Sequence, residues 1–167
     1  SDTPFGPLYH AHLFAGGENS GKLVTLVKQQ ARLRALDDER PFVLVDGPPG
    51  IGCPVISALS GASLALLVVE PTYSGVHDLT RVLQLTRHFD VPAMVVINKA
   101  DLSAARTGEI EQFCRQEGLK IAARVPFDTV VTEAMVHGHP VTSYAEGLVV
   151  DAMHQAWRRI KVHLGLA

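Results

Sequence analysis

Short, unbroken apolar runs recur along this chain with room for one helix between each pair, and that spacing restricts the fold more than any other feature. The runs are Leu8 to Phe14, Phe42 to Val45, Leu64 to Val69, Ala93 to Ile97 and Ile121 to Val125. Most are too continuously apolar for a sheet with a wet face, and they read as strands covered on both sides, the mark of a parallel sheet. Helical periodicity fills the gaps. From Gly21 to Leu36 apolar residues recur at Leu23, Leu26, Val27, Leu33 and Leu36; from Val76 to Phe89 they recur at Val76, Leu79, Val82, Leu83, Leu85 and Phe89. Both stripes are expected to face the sheet. A third helix, Ser103 to Glu117, is mostly polar around Ile110, Phe113 and Cys114. The last, Gly147 to Leu164, gathers Val150, Met153, Trp157, Ile160 and Leu164 on one side. Alternation of this kind predicts an α/β fold with a mostly parallel sheet.

At 167 residues the chain suits one domain, residues 1–167, with a sizeable core. Its net charge of −2 and the lack of a basic run argue against a nucleic-acid or membrane-surface partner. No apolar stretch approaches the ~20 residues of a membrane span. The opening Ser1-Asp2-Thr3-Pro4 lacks the charged start and apolar core of a secretion signal, so a cytoplasmic location is expected. The two cysteines, Cys53 and Cys114, have neither metal-ligand spacing nor the makings of a disulfide framework. Cys53 precedes a probable helix, whose start lowers a thiol pKa; burial as a small core residue is the alternative.

Chemistry-bearing residues gather where strands end, which is where open α/β sheets bind ligands. Asp46 closes the run Phe42-Val43-Leu44-Val45 and leads into Gly47-Pro48-Pro49-Gly50. A carboxylate there can hold Mg²⁺ directly or through water. The two prolines stiffen the turn and leave the Gly50 amide as donor to a terminal phosphate. Glu70 ends the next strand. Asn98-Lys99-Ala100-Asp101 follows the fourth and Pro126-Phe127-Asp128 the fifth, so both loops are expected on the edge that carries Asp46. Asn98 offers a donor and an acceptor to a purine edge; Asp101 either accepts from a base amino group or caps the helix that starts near Ser103. Gly16-Gly17-Glu18-Asn19-Ser20-Gly21-Lys22-Leu23 matches a Walker A loop up to its lysine, but Leu23 brings no hydroxyl to Mg²⁺. A glycine turn capped by Asn19 or Ser20 is the plainer reading, and Lys22 is retained as a second cation near the nucleotide. His10 and His12 share a strand face at metal-ligand spacing, with no third ligand evident.

Jointly, these segments resemble the MinD/ParA/Mrp-type P-loop ATPases, the superfamily that includes the CobQ/CobB nucleotide-binding domains, and within it the subgroup with an inserted ferredoxin domain. The likeness runs through Glu18 to Val24, Asp46 to Val55, Glu70 to Asp78, Ile97 to Leu102 and Val125 to Asp128. Asp46-Gly47-Pro48-Pro49-Gly50 takes the place of Walker B and switch II. The resemblance implies a three-layer α/β/α fold of the P-loop NTPase, or SIMIBI, type. It implies ATP and Mg²⁺ as ligands, with Asp46 as the metal residue and Asp46 and Gly50 as the catalytic pair. Asn98, Asp101, Pro126, Asp128 and Lys22 would bind the nucleotide. Members open with a strand and a loop of the form Lys-Gly-Gly-x-Gly-Lys-Thr, followed in this subgroup by cysteine-rich iron–sulfur motifs. This sequence carries neither, so it is expected to be the carboxyl-terminal portion of such an ATPase, incomplete at its amino-terminal side and inactive alone. Iron–sulfur clusters would belong to the inserted domain.

The leading functional expectation is an ATPase that dimerises around nucleotide, drives an assembly or conformational cycle and serves an iron–sulfur or redox partner. An amide-forming synthetase of the cobyrinic acid a,c-diamide type and a non-catalytic scaffold are the alternatives. Asn-Lys-x-Asp is also the guanine-reading pattern of GTPases, so a GTPase stays open on local grounds, and the resemblance alone favours ATP.

Overall fold

The computed structural model describes residues 1–3, 6–11 and 21–166. It divides into two compact units, Ser1–Ala62 and Ser63–Ala167. In the first, β1 (Asp2–Thr3) pairs antiparallel with β2 (Gly6–Pro7), and the Thr3 hydroxyl closes the hairpin by donating to the Gly6 carbonyl at 2.7 Å. Helix α1 (Gly21–Asp37) packs on α2 (Cys53–Leu59). Approach at the start of α1 is close: a Cβ on Gly21 would stand 2.6 Å from Ser57 Oγ and 3.0 Å from the Cys53 carbonyl. Further along, Lys28 Nζ donates to the carbonyls of Ser57, Ala58 and Ser60 at 3.2, 2.7 and 2.6 Å. A cation thereby satisfies carbonyls that the end of α2 leaves without helical partners. Burial pulls the Lys28 ammonium below its ordinary pKa, and neighbouring Arg32 adds to the effect.

Three sequence expectations are corrected in this unit. Residues 42–48 belong to no strand, and Leu44 is 85% exposed. An apolar run makes a segment able to pair, but a strand exists only through its ladder, and none of the described strands pairs with this one. The expected apolar stripe of α1 is not a buried face: none of its residues is buried, and Leu26, Leu33 and Leu36 are exposed. Residues 8–11 likewise lie outside any strand. The rest of that expected strand, His12 included, falls outside the described residues, as do Gly16 to Ser20.

The second unit holds three parallel strands in the order β3 (Ala65–Val69), β4 (Ala93–Asn98), β5 (Lys120–Val125). Two crossover helices join them, α3 (Gly75–His88) and α4 (Ala104–Gln116). After β5 come the short α5 (Val130–Val136) and α6 (Val141–Tyr144), then the long α7 (Leu148–Leu164). Helix α7 lies on the sheet face formed by Met94 and Val96, where Ala122, Ala123, Ala152 and Ala156 complete a core of small side chains against which Leu64 and Val125 pack. Helices α3 and α4 touch each other and pack on β3 and β5 respectively. Val95 and Ile97 point away from Met94 and Val96 because side chains alternate along a strand, and both are fully buried, as are Ile110 and Cys114 of α4. The unit is therefore layered α/β/α. Register skips from Ile121 to Ala123 between Val95 and Val96, so Ala122 is the extra residue of a bulge in β5.

Among the described strands, β4 alone is buried on both faces, from Met94 to Ile97. In β3, Ala65, Leu67 and Val69 are buried whereas Leu66 and Val68 are 39% and 64% exposed. They stand in register with Met94 and Val96, but α7 packs over β5. The stripe of α7 also differs from the expected one: Val149, Val150, Ala152 and Ala156 are buried, and Met153 and Trp157 are exposed. Among the described residues no helix is long and apolar enough to cross a membrane.

Candidate functional site

The carboxyl ends of β3, β4 and β5 bring together most of the polar residues expected at a ligand site. The β3–α3 turn depends on Gly75, where any Cβ would run into the Glu70 carbonyl oxygen. Glu70 Oε1 then receives Lys99 Nζ at 2.9 Å and Asn98 Nδ2 at 3.4 Å. Lys99 adopts φ 52°, a left-handed conformation costly for a side chain other than glycine or asparagine. That backbone reversal carries the chain from β4 into the Ala100-Asp101 turn. The Ala100 amide donates to the Val125 carbonyl at 2.9 Å, and the Thr107 hydroxyl donates to the Ala100 carbonyl at 2.7 Å. Asp101 Oδ1 accepts the Phe127 amide at 2.6 Å. Ser103, rather than Asp101, caps α4 by accepting the Arg106 amide.

Beside this turn lies a cavity of about 360 Å³ lined by Ala100, Asp101, Thr107, Arg124, Pro126 and Leu148. It is an open hollow on the surface, not an enclosed chamber. Walls from Ala100, Pro126 and Leu148 suit the face of a flat ring, and Asp101 and Thr107 supply polar groups. Arg124 is turned to Glu111, with which it forms an ion pair. Asp128 does not line the cavity; its Oδ1 accepts the Val130 amide at 2.9 Å and so starts α5. Outside the cavity, the Arg106 guanidinium stacks 4.1 Å over the ring of Tyr73 while pairing with Glu109.

Lys22, Asp46 and Gly50 belong to the first unit. Lys22 is the exposed second residue of α1, and Asp46 is exposed in the segment 42–48. Gly50 has φ 93°, with open space where a Cβ would stand, so glycine is required by conformation and not by crowding. Gly52 then leads into α2, whose first turn contains Pro54 and the exposed Cys53. His10 Nε2 lies 3.4 Å from the Ser1 hydroxyl. Among the described residues no group of three or more His, Cys, Asp or Glu side chains could hold a metal.

Three cavity residues escaped the sequence reading. Thr107 follows the cap Ser103 by four positions, one turn of helix, and that spacing could have flagged it. Arg124 sits at the exposed end of β5, visible only once the strand is placed. Leu148 reaches the site because α7 starts beside it, and no local pattern announces that.

No family model matches the chain. An uncharacterized protein of Methanocaldococcus jannaschii is 36% identical over 97 residues, covering 58% of this chain and 34% of that protein. The iron-sulfur cluster carrier protein of Pyrococcus furiosus is 26% identical over 140 residues, covering 75% of this chain and 47% of the carrier. The septum site-determining protein MinD of Bacillus subtilis is 25% identical over 155 residues, covering 89% and 58%. Among solved structures, the septum site-determining MinD of Pyrococcus horikoshii, complexed with Mg-ADP, superposes with a TM-score of 0.71 at 21% identity, covering 88% of this chain and 59% of that one. The chain thus spans between a third and three fifths of the length of these relatives. In fold the chain matches the solved MinD structures, and in sequence it is similar to MinD and to iron-sulfur cluster carrier proteins.

Proposed function

We propose that this chain is the nucleotide-binding part of a MinD/ParA-type ATPase, and that the cavity between the Asn98–Asp101 turn and the Pro126 loop receives the adenine of ATP. The observation that carries the reading is this cavity at the carboxyl edge of a parallel sheet, where α/β folds place nucleotides. Its apolar walls fit a purine face, and the Asn98 amide is at the strand end beside it. The Mg-ADP in the Pyrococcus horikoshii relative supports the ligand class.

An exposed carboxylate at the head of a proline-stiffened loop has the donor chemistry of a magnesium ligand, and Asp46 would hold that ion. Bound there, Mg²⁺ would supply charge neutralisation at the phosphates. The Gly50 amide, free of a neighbouring side chain, would donate to the terminal phosphate, with Lys22 as a second cation. Asn98 would recognise the base and Pro126 pack on it, while Asp128 would shape the loop through its bond to Val130. The chain is read as part of one MinD-like domain that forms a homodimer around nucleotide in the cytoplasm. It would serve an iron–sulfur or redox partner, and the likeness to iron-sulfur cluster carrier proteins supports the iron–sulfur reading. Since the sequence has no Lys-Gly-Gly-x-Gly-Lys-Thr loop, the phosphates lack an amide cradle. Weak binding and no turnover are therefore expected of the chain alone.

Nuclear magnetic resonance of ¹⁵N-labelled protein titrated with millimolar Mg-ATP tests the site. Shifts at Asn98, Ala100, Asp101, Phe127 and Leu148 are expected for the base, and at Lys22, Asp46 and Gly50 for the phosphates and metal; shifts that leave the Asn98–Asp101 turn and the Pro126 loop unmoved, or none, would overturn it. Micromolar affinity by calorimetry would sink the expectation of weak binding while leaving the site standing.

A further inference from the structure

Asn98-Lys99-Ala100-Asp101 has the spacing of a guanine reader, yet its polar side chains are engaged within the protein. Guanine reading needs both oxygens of the aspartate along the base edge, one for the ring imino hydrogen and one for the exocyclic amino group. Asp101 Oδ1 is turned instead to the Phe127 amide, and at 2.6 Å the bond is short and charge-assisted. Lys99 closes on Glu70 at 2.9 Å, and one Asn98 amide hydrogen faces the same oxygen at 3.4 Å. Together with the Ala100 amide on Val125 and the Thr107 hydroxyl on Ala100, these contacts lace the ends of three adjacent strands.

We infer that the turn is a clasp, not a guanine reader: Asp101 is a positioning residue that ties the Pro126–Asp128 loop to the end of β4, and the cavity's purine preference is set without its carboxylate. The last clause rests on the nucleotide reading above; the clasp itself does not. The bond to the Phe127 amide fixes the carboxylate's orientation, so its edge is set by the facing loop and not by a base. Its place in the cavity wall is that of a strut, and its loss would let the loop that carries Pro126 drift from the β4 turn.

Two measurements separate the clasp from the nucleotide reading. In the nucleotide-free protein, the Phe127 amide is followed by hydrogen exchange and by acid titration. Protonating the carboxyl is expected to move the Phe127 amide proton upfield. Asp101→Ala is expected to speed its exchange at least tenfold, and Asp101→Asn, whose amide oxygen still accepts, to restore most of the protection. Should Asp101→Ala fail to fold, the acid titration of the unmodified protein and the Asp101→Asn variant decide the matter. An unprotected Phe127 amide, one indifferent to carboxyl protonation or to Asp101→Ala, or one that Asp101→Asn leaves as exposed as an unbonded amide, would overturn the clasp. In the second arm ATP, GTP and XTP are titrated. A guanine-reading aspartate replaced by asparagine trades GTP for XTP, because the amide reverses the donor pattern on one side. The order of the three nucleotides is expected to be the same in Asp101→Asn as in the unmodified protein, and a switch to XTP would defeat the inference. Absence of any nucleotide-induced shift counts against the proposed function alone.

Discussion

Two glycines at the residue scale carry opposite expectations. Gly75 lies against the Glu70 carbonyl and the Val69 side chain, leaving no room for a methyl group. Gly75→Ala is expected to cost ~1–3 kcal/mol, the usual penalty for forcing atoms into a packed site, and to shift the Glu70–Lys99 pair that the turn supports. Gly108 sits in the middle of α4 with open space around it, so Gly108→Ala is expected to add ~0.5–1 kcal/mol by reducing the freedom of the unfolded chain and raising helix propensity. Urea unfolding of both variants checks the pair; equal effects would show that the β3–α3 turn is not as crowded as described. Cys114 supplies a pH prediction. It is 1% exposed, and burial pushes its thiol from 9.0 up to about 11. Between those values the folded state keeps the proton while the unfolded state releases it, so the unfolded state binds fewer protons and stability falls as pH rises. The contribution is intact below pH 9 and is lost on the way to pH 11, a change of about 2–3 kcal/mol for a shift of this size. Cys114→Ala should flatten that part of the pH profile. In the native protein at pH 8 a thiol reagent should label exposed Cys53 alone.

At the scale of elements, the ease of reading the sequence tracks how locally each element is determined. The three strands of the second unit were legible to within one residue because each apolar run meets its neighbour in the next run, with a crossover helix of ordinary length between. Helix α4 was legible to within one residue at each end from Ile110, Phe113 and Cys114, whereas its cap, Ser103 and not Asp101, was not. The strand expected at 42–45 was not borne out, since composition tells what can be buried and nothing about which strand supplies the ladder. Helices α5 and α6 went unread because seven and four residues show too little periodicity. Of the candidate site, the Asn98, Asp101 and Pro126 positions were legible as strand-end residues. Their partners were not: that Asp101 holds Phe127 and Asp128 holds Val130 depends on where two loops come to lie. The contact between α1 and α2 was equally hidden, and it is testable. Lys28→Met removes three hydrogen bonds from the end of α2. Loss of a charged donor from partly buried carbonyls costs ~1–3 kcal/mol, and faster exchange of the Ser60 amide, which donates to Ile56 within that last turn, would report it. Unchanged exchange would mean that water replaces the ammonium without loss.

For the molecule as a whole, the decisive fact is how unevenly burial is distributed. Met94 to Ile97 of β4 are buried without a break, whereas α1 has no buried residue. Local opening is easiest where few apolar contacts must be broken, so amides of β4 are expected to exchange slowest and those of α1 fastest among the helical segments. The same unevenness leaves β3 at the edge of its sheet among the described residues, with Leu66 and Val68 exposed on one face. Leu64 to Val69 is uncharged, free of proline and wholly apolar, the composition that pairs edge to edge when nothing covers it. A lysine pointing outward from such an edge opposes pairing through charge and hydration. Val68 faces water in any case, so Val68→Lys buries no charge. The variant is expected to remain monodisperse in light scattering at concentrations where the unmodified chain associates, with its unfolding midpoint in urea unchanged to within about 0.5 kcal/mol, as for surface substitutions generally. Association that persists in Val68→Lys would place the sticky surface elsewhere, the exposed Leu26, Leu33 and Leu36 of α1 being next in line.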